Sequence, residues 1–282
     1  MQRRHWLVRG LALAAAGGSP WLASSANPAA GPTAGPTAGL PQPSADPFDG
    51  DPFQSFQWPE LRKEFLGASA RTQFDARVRV QGPAFAEDPM NVPITVAVDL
   101  PGVQRLIVLV DRNPIRKVLE LQPVAALPAV SFRFKLEQAS PVRALAQTAD
   151  GLWHVGGTWV DSAGGGCTVA GGSRADGSWT QTLGQVSGRI YASALPGGDS
   201  SARLRVRIMH PMDTGLVGGI PAFFVSKLAV RDAADRELLR IQTFEPVSEN
   251  PVFSFEFSTA PAGPLRIVGV DNNGNRIDSR VD

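Results

Sequence analysis

Hydrophobic and polar residues alternate with a period of two along much of the chain from residue 72 onward. Leu204, Val206 and Ile208, for example, alternate with arginines, as expected of a strand with one buried face. Further strand-length segments rich in branched or aromatic residues occupy 93–99, 105–110, 131–136, 223–230, 238–243, 253–257 and 265–270. Turn signals such as Pro101-Gly102 and Asn113-Pro114 separate these segments. Short strands with frequent turns predict an all-β fold of antiparallel sandwiches rather than a helical or βαβ fold.

Three local patterns refine this prediction. The alternation of residues 72–80 predicts one continuous strand, and residues 153–159 predict another. One short helix is predicted over 59–67, because Pro59 suits the first turn and Gly67 can end the helix. About 100 residues lie on each side of the segment around residue 167, enough for one small β-sandwich apiece.

The first residues have the pattern of an export signal. Arg3 and Arg4 precede a short apolar stretch, and the small residues 23–26 suit cleavage by a signal peptidase. The apolar stretch is shorter than the roughly 20 residues of a membrane-spanning helix. Residues 1–26 are therefore predicted to be a removable twin-arginine signal, and the alternative is an ordinary secretory signal. Both place the mature chain in the cell envelope, and we expect it in the periplasm.

The remaining chain divides by composition. Residues 27–52 are rich in proline, glycine and alanine and are predicted to be a linker. Two sandwich domains are predicted at 53–161 and 185–282. Between them, residues 162–184 form a glycine-rich segment that contains the only cysteine of the chain.

Cys167 is the most distinctive residue of the sequence. It is flanked by five glycines, Gly164, Gly165, Gly166, Gly171 and Gly172. Glycine has no side chain to pack, so the sequence predicts a flexible arm with a solvent-accessible thiol that is dispensable for folding. A single cysteine excludes an internal disulfide and C-x-x-C chemistry. This pattern is typical of a carrier that presents a covalently held group, and the alternative is an incidental free cysteine.

Charge and composition exclude several other functions. The chain has 27 basic and 26 acidic residues and a net charge of +1, with no basic run that would indicate nucleic-acid binding. No membrane-spanning helix is expected in the mature chain, and the sequence predicts no bound metal and no cofactor.

Two histidines of the predicted mature chain could activate the thiol if the fold brought them close. His154 lies on the predicted strand that leads into the arm, and His210 follows a strand just before Pro211. No third group that would orient either imidazole is evident from the sequence. The only cation near Cys167 in the sequence is Arg174, seven residues away, and no helix is predicted there. We therefore predict an unassisted thiol, which depends on a partner enzyme for activation.

The two halves resemble the two subunits of the SoxYZ sulfur carrier. The first half is similar to SoxY in Val92-Pro93-Ile94-Thr95-Val96, Leu109-Val110-Asp111-Arg112-Asn113-Pro114, Phe132-Arg133 and Gly165-Gly166-Cys167. The second half is similar to SoxZ in His210-Pro211-Met212-Asp213-Thr214-Gly215-Leu216, Phe224-Val225-Ser226-Lys227, Ser248-Glu249-Asn250-Pro251 and Asp271-Asn272-Asn273-Gly274. The fused order looks most like the single-chain SoxYZ-like carriers associated with quinoprotein dehydrogenases.

The resemblance implies a fold and a function. It implies two immunoglobulin-like β-sandwiches joined by the cysteine arm, without enzymatic activity. It also implies that Cys167 carries sulfur intermediates between periplasmic redox enzymes. The chain departs from SoxY in one respect, because the SoxY cysteine lies at the extreme C-terminus whereas Cys167 lies inside this chain.

Three classes of function remain open at this point. The first is a non-enzymatic periplasmic carrier that uses Cys167, with sulfur-oxidation enzymes or a quinoprotein dehydrogenase and its cytochrome as partners. The second is an accessory binding subunit of a quinoprotein dehydrogenase system, without thiol chemistry. The third is a thiol enzyme, which requires a depressed thiol pKa.

Overall fold

Alternating burial along the strands builds the fold. The computed structural model describes residue 46, residues 48–192 and residues 201–282. The predicted signal 1–26 and most of the predicted linker lie outside the described residues. In the strand Ala202–Ile208, every second side chain is buried and the arginines between them are exposed, as the sequence predicts.

Sixteen strands and three helices occur in the part of the chain that the structure describes. The helices are α1 (Trp58–Leu66), α2 (Gly172–Asp176) and α3 (Trp179–Thr182). The strands of the first half are β1 (Thr72–Phe74), β2 (Val78–Gln81), β3 (Phe85–Ala86), β4 (Val92–Val98), β5 (Val103–Val110), β6 (Lys117–Gln122), β7 (Ala129–Phe134), β8 (Ser140–Thr148) and β9 (Trp153–Ser162). Those of the second half are β10 (Val186–Ala192), β11 (Ala202–Ile208), β12 (Val225–Arg231), β13 (Glu237–Thr243), β14 (Val252–Phe257), β15 (Leu265–Asp271) and β16 (Arg276–Val281).

These strands form two sheets, and each sheet contains strands of both halves. The larger sheet has the order β1-β9-β8-β5-β6-β13-β12-β15-β16, with β3 paired to β9, and the smaller has the order β10-β11-β14-β7-β4-β2. The halves meet through antiparallel pairing of β6 with β13 and of β7 with β14. The all-β fold class is confirmed, and the two halves are joined directly by strand pairing in both sheets.

The inward faces of both sheets contribute to one hydrophobic core. Leu119 and Leu121 of β6 lie in the same buried cluster as Phe132 of β7 and as Ile241 and Phe255 of the second half. Because this core crosses the junction, the described residues of the two halves form one compact unit. Burial of apolar surface therefore stabilises the two halves together.

A second, smaller core lies beneath helix α1. Trp58 and Leu61 of this helix are fully buried against strand residues of the first half. Next to them, the guanidinium of Arg143 is buried between the carboxylates of Asp51 and Asp111, at N–O distances of 2.6 and 2.8 Å. The predicted helix is confirmed, and it begins one residue earlier than expected.

The predicted continuous strand over 72–80 is wrong. The chain turns between β1 and β2, because the carboxylate of Asp75 accepts a hydrogen bond from the Arg77 amide at 2.9 Å. The carbonyl of Asp75 also accepts one from the Val78 amide. An aspartate that bonds the amide two residues on forms a turn and so interrupts a strand. As a result, β1 pairs with β9 and β2 pairs with β4, in different sheets.

Candidate functional site

The cysteine segment runs from β9 to α2 and packs against the residues that follow β7. The Cys167 amide donates a hydrogen bond to the Glu137 carboxylate at 2.9 Å, and the Cys167 thiol lies 3.5 Å from the Lys135 carbonyl oxygen. The amides of Gly165 and Gly166 bond the carbonyls of Glu137 and Leu136. Cys167 is consequently 0% exposed. The prediction of a solvent-accessible thiol is wrong for this structure, because these contacts hold the segment in place.

The glycines before Cys167 allow close packing instead of leaving the chain open. A Cβ atom on Gly166 would lie 2.1 Å from the Pro89 carbonyl oxygen, so only glycine fits there. Gly164 and Gly165 have φ angles of +94° and +86°, in the left-handed region that glycine adopts without strain. The predicted open tether is therefore a packed loop in this structure.

The glycines after Cys167 have two different environments. A Cβ atom on Gly171 would lie 2.1 Å from a carboxylate oxygen of Glu249, whereas Gly172 has open space around its Cα. The predicted arm also contains two short helices, α2 and α3, where no helix was expected. The amide of Ser173 donates to Glu249 at 2.9 Å and so ties the start of α2 to the second half.

The second half of the chain closes the site from the other side. The hydroxyl of Thr214 donates a hydrogen bond to the Cys167 carbonyl at 2.6 Å. The ammonium group of Lys135 is buried and donates to the Met212 carbonyl. Arg174, which follows the cysteine segment, forms an ion pair with Asp213. Cys167 thus lies at the junction of the two halves, held by both.

Burial controls the chemistry of this thiol. Desolvation, reinforced by the nearby negative charge of Glu137, raises the pKa of Cys167 to about 12. Burial lowers the pKa of Lys135, although the negative charges of Cys167 as thiolate, Asp213 and Glu249 oppose that shift. At a pKa of about 12, roughly one thiol in 10⁵ is ionised at pH 7. The docked thiol is therefore a very weak nucleophile, the opposite of what a thiol enzyme requires.

His210 occupies a buried site of its own in the second half. Its Nδ1 accepts a hydrogen bond from the Met212 amide at 3.1 Å, and its Nε2 lies 3.5 Å from the Asp271 carboxylate. Its ring packs 4.4 Å from the ring of Phe223. Burial lowers the pKa of His210 to about 4, against the opposing effect of Asp271. His210 is therefore neutral at pH 7 and has a structural partner other than the thiol.

His154 lies on β9, as predicted from the sequence, and its Nδ1 contacts the Asp75 carboxylate at 2.8 Å. In the described part of the chain, the hydrogen bonds of the Cys167 thiol involve neither histidine.

The described residues contain no group of three or more histidine, cysteine or acidic side chains that could hold a metal ion. None of the helices in the described ranges has both the length and the hydropathy of a membrane span.

Three residues of this site were missed by the sequence analysis. Lys135 continues the polar alternation of β7, so the pattern places it in solvent, and its burial depends on chain segments distant in sequence. Glu137 and Thr214 are ordinary surface residues by composition. Thr214 belongs to the SoxZ-like stretch that begins at His210, and that stretch was the available signal for it.

These features define a class of protein: an all-β chain whose described parts hold one buried cysteine where two sandwich halves meet. Comparison with known families assigns both halves. Residues 62–167 belong to the family of the sulfur oxidation protein SoxY, and residues 193–282 to that of the sulphur oxidation protein SoxZ. The chain is a fusion of the two, and the families indicate a carrier protein of sulfur oxidation. The SoxY match ends on Cys167 itself.

A solved structure is also similar to part of the chain. The sulfur carrier protein SoxY from Chlorobium limicola f thiosulfatophilum has 21% sequence identity, with 37% of this chain and 90% of that chain covered and a TM-score of 0.33. A search of curated proteins finds no match.

Proposed function

We propose that this chain is a non-enzymatic periplasmic carrier that presents a covalently bound, sulfur-containing group on Cys167 to partner enzymes. The observation that carries the proposal is the position of Cys167. It is the only cysteine of the chain, the last residue of the SoxY match, and the point where both halves converge. A sulfur carrier needs one thiol that forms no internal disulfide, and this chain has one.

The docked geometry supports a carrier that is activated by release of its arm. While Cys167 is buried, its raised pKa keeps it protonated. Once the segment leaves Glu137 and Thr214, the thiol reaches the ordinary cysteine pKa of about 8.5. The ionised fraction at pH 7 then rises to a few per cent, an increase of about 3,000-fold. Reaction is thereby confined to the moment at which a partner holds the released segment.

Loading of the thiol requires a redox partner. An S–S bond between Cys167 and a reduced sulfur compound forms with loss of two electrons and the thiol proton. The proton goes to solvent, and the electrons go to an oxidising enzyme. We propose a periplasmic sulfur-oxidation enzyme, or a quinoprotein dehydrogenase with its cytochrome, as that acceptor. The oxidising character of the periplasm suits a thiol that is loaded rather than left free.

The burial of Cys167 favours a second candidate function. An accessory subunit that docks on a quinoprotein dehydrogenase system has no need of an exposed thiol, and 0% exposure is what it would show. The two functions differ in whether Cys167 is ever modified.

The decisive experiment combines mass spectrometry with growth. Peptides that span Cys167 are analysed from protein purified from the native periplasm, before and after treatment with a reductant. The carrier function predicts a reductant-labile adduct on Cys167 and loss of the linked oxidative pathway in a Cys167→Ser strain. An Ala163→Ser strain is the matched control, because Ala163 is exposed in the same segment, and it should grow normally. An unmodified thiol together with normal growth of the Cys167→Ser strain would refute the carrier function and favour the accessory subunit.

A further inference from the structure

The outer face of the smaller sheet has a concentration of positive charge. Arg189 of β10 and Arg203, Arg205 and Arg207 of β11 point away from the core and are exposed. We call these four residues the arginine patch. A shallow groove of about 310 Å³ lies within it, and among the groove's lining residues, all of them described, none is acidic. The whole chain has a net charge of only +1, so the patch is a local segregation of charge.

The arrangement within the patch is unfavourable for the isolated protein. Arg189 and Arg205 are direct cross-strand partners, and like charges placed directly opposite each other destabilise a sheet. Arg203 and Arg207 flank Arg205 on the same face of β11, each two residues away. Arg203 has a compensating ion pair, with Glu256 of β14. The register places Ser254 and Val252 beside Arg205 and Arg207, where acidic residues would neutralise them.

Ordinary structural roles do not explain this pattern. A charged side chain on an edge strand prevents association of sheets edge to edge, and this accounts for Arg189, because β10 is at one end of the sheet order. It does not account for β11, which has strands on both sides. Solubility alone is met by charges of mixed sign. An arrangement that lowers local stability without a compensating contact inside the protein is a sign of function.

The patch is close along the chain to the cysteine site. Strand β11 leads directly into residues 210–214, the segment that bonds Cys167 and Lys135. Strand β10 follows the cysteine segment and α3, and Met209 exchanges backbone hydrogen bonds with Gly184 and Gln185 just before β10 begins. A protein bound to the patch therefore lies next to the elements that hold Cys167 docked.

We propose that the arginine patch is the docking surface for an acidic face of a partner protein. Docking would bring the partner's reaction centre to Cys167, and this part of the inference rests on the carrier function proposed above. Complementary charge steers association and fixes the register of a weak complex. A carrier that must also leave its partner benefits from this kind of contact, since exposed ion pairs bind weakly and exchange quickly.

Site-specific photo-crosslinking in cells of the source bacterium tests the proposal. The photoreactive residue p-benzoylphenylalanine replaces Tyr191, an exposed aromatic residue paired with Arg203, so all four arginines remain. The same residue at Gln242, on the outer face of the larger sheet, is the control position. The charge-reversal variant is Arg205→Glu with Arg207→Glu. Its matched control is Lys227→Glu with Arg240→Glu, which reverses two exposed cations on the opposite sheet.

The expected result is a product at position 191, identified by mass spectrometry as a protein with an acidic surface. Its yield should fall about tenfold or more in the charge-reversal variant and at high salt. The yield should be unchanged in the matched control, and position 242 should give no such product. Purified protein should bind neither itself nor phosphatidylglycerol vesicles through the patch.

Four results would overturn the proposal: no product at position 191, a product insensitive to charge reversal, a product consisting of two copies of this chain, or charge-dependent binding to the vesicles. Repeating the crosslinking in a Cys167→Ser background separates this inference from the carrier function. A charge-dependent product there, alongside an unmodified thiol in native protein, would leave the docking surface in place while the carrier function fails.

Discussion

Replacement of Gly166 by alanine should release the cysteine segment from its docked position. The added Cβ would lie 2.1 Å from the Pro89 carbonyl oxygen and 2.7 Å from the Leu136 carbonyl oxygen, whereas ordinary van der Waals contact begins at 3.4 Å. Both neighbours are backbone atoms, and the Leu136 amide donates a hydrogen bond to the Pro89 carbonyl. The overlap cannot be relieved by rotating a side chain, so the segment has to move.

The lower bound on the magnitude follows from the three hydrogen bonds of residues 167 and 168, which break when the thiol is exposed even if Gly165 and Gly166 keep theirs. The Cys167 amide bonds Glu137, its carbonyl accepts from Thr214, and the neighbouring Thr168 hydroxyl also bonds Glu137. At about 0.5–1.5 kcal/mol for each hydrogen bond, docking is stabilised by about 1.5–4.5 kcal/mol. Because each 1.4 kcal/mol is a factor of ten, alkylation of the wild-type thiol should be slower than that of a free peptide by about 10-fold to 10³-fold. Gly166→Ala should abolish most of this protection.

The assay is the rate of iodoacetamide modification of Cys167 at pH 8, followed by intact mass. Gly172→Ala is the matched control, because a Cβ at Gly172 meets no atom within 4 Å, and its rate should remain within about twofold of wild type. Circular dichroism verifies that both variants keep the β-sheet fold. A Gly166→Ala protein that is folded yet labelled as slowly as wild type would refute this account of docking, as would a wild-type thiol labelled as fast as the peptide.

Three further predictions concern other contacts. Thr214→Val leaves the Cys167 carbonyl without its donor, at a cost of about 1–3 kcal/mol, so alkylation of a folded protein should accelerate by about 5- to 100-fold, and an unchanged rate would contradict it. His210 has a pKa lowered to about 4 from 6.5, so the unfolded chain takes up the proton first as the pH falls. The free energy of unfolding should therefore decrease by about 3 kcal/mol between pH 6.5 and pH 4. Urea titrations should show a smaller loss for His210→Gln. Arg143→Met leaves two buried carboxylates unpaired and should cost about 3–5 kcal/mol in urea unfolding; a loss below 1 kcal/mol would show that the pair is not isolated from water.

The strands could be predicted because their pattern is local. The alternation of β11 is visible in seven consecutive residues, and burial of every second side chain follows from the geometry of a strand. The joining of the halves through β6 with β13 and β7 with β14 could not be predicted in this way. Which strands pair across more than 100 residues depends on the shape of both halves, and a period of two carries no information about the partner strand.

The environment of Cys167 was predicted incorrectly for a physical reason. Glycine is compatible with a flexible chain and equally with a tightly packed one, because both result from the absence of a side chain. The sequence shows the glycines, but the carbonyl of Pro89 that makes Gly166 necessary lies 77 residues away. Lys135 is similar: its alternation predicts exposure, and only the fold places Met212 over its ammonium group. Neither contact can be predicted from the local pattern of hydrophobic and polar residues.

The internal position of Cys167 limits how far the thiol can travel. Cys167 is five residues from Ser162, the last residue of β9, and five from Gly172, the first residue of α2. At about 3.3–3.6 Å per extended residue, the Cα atom of Cys167 reaches at most about 18 Å from the end of β9. Unwinding α2 and α3 would not increase this reach, because the shorter tether to β9 sets the limit. A terminal arm of the same length has the same reach but enters a partner as one strand, whereas this segment enters as two. A partner enzyme that uses Cys167 must therefore have a wide and shallow reaction site and must dock closely. Close docking in turn requires a defined docking surface beside the cysteine segment.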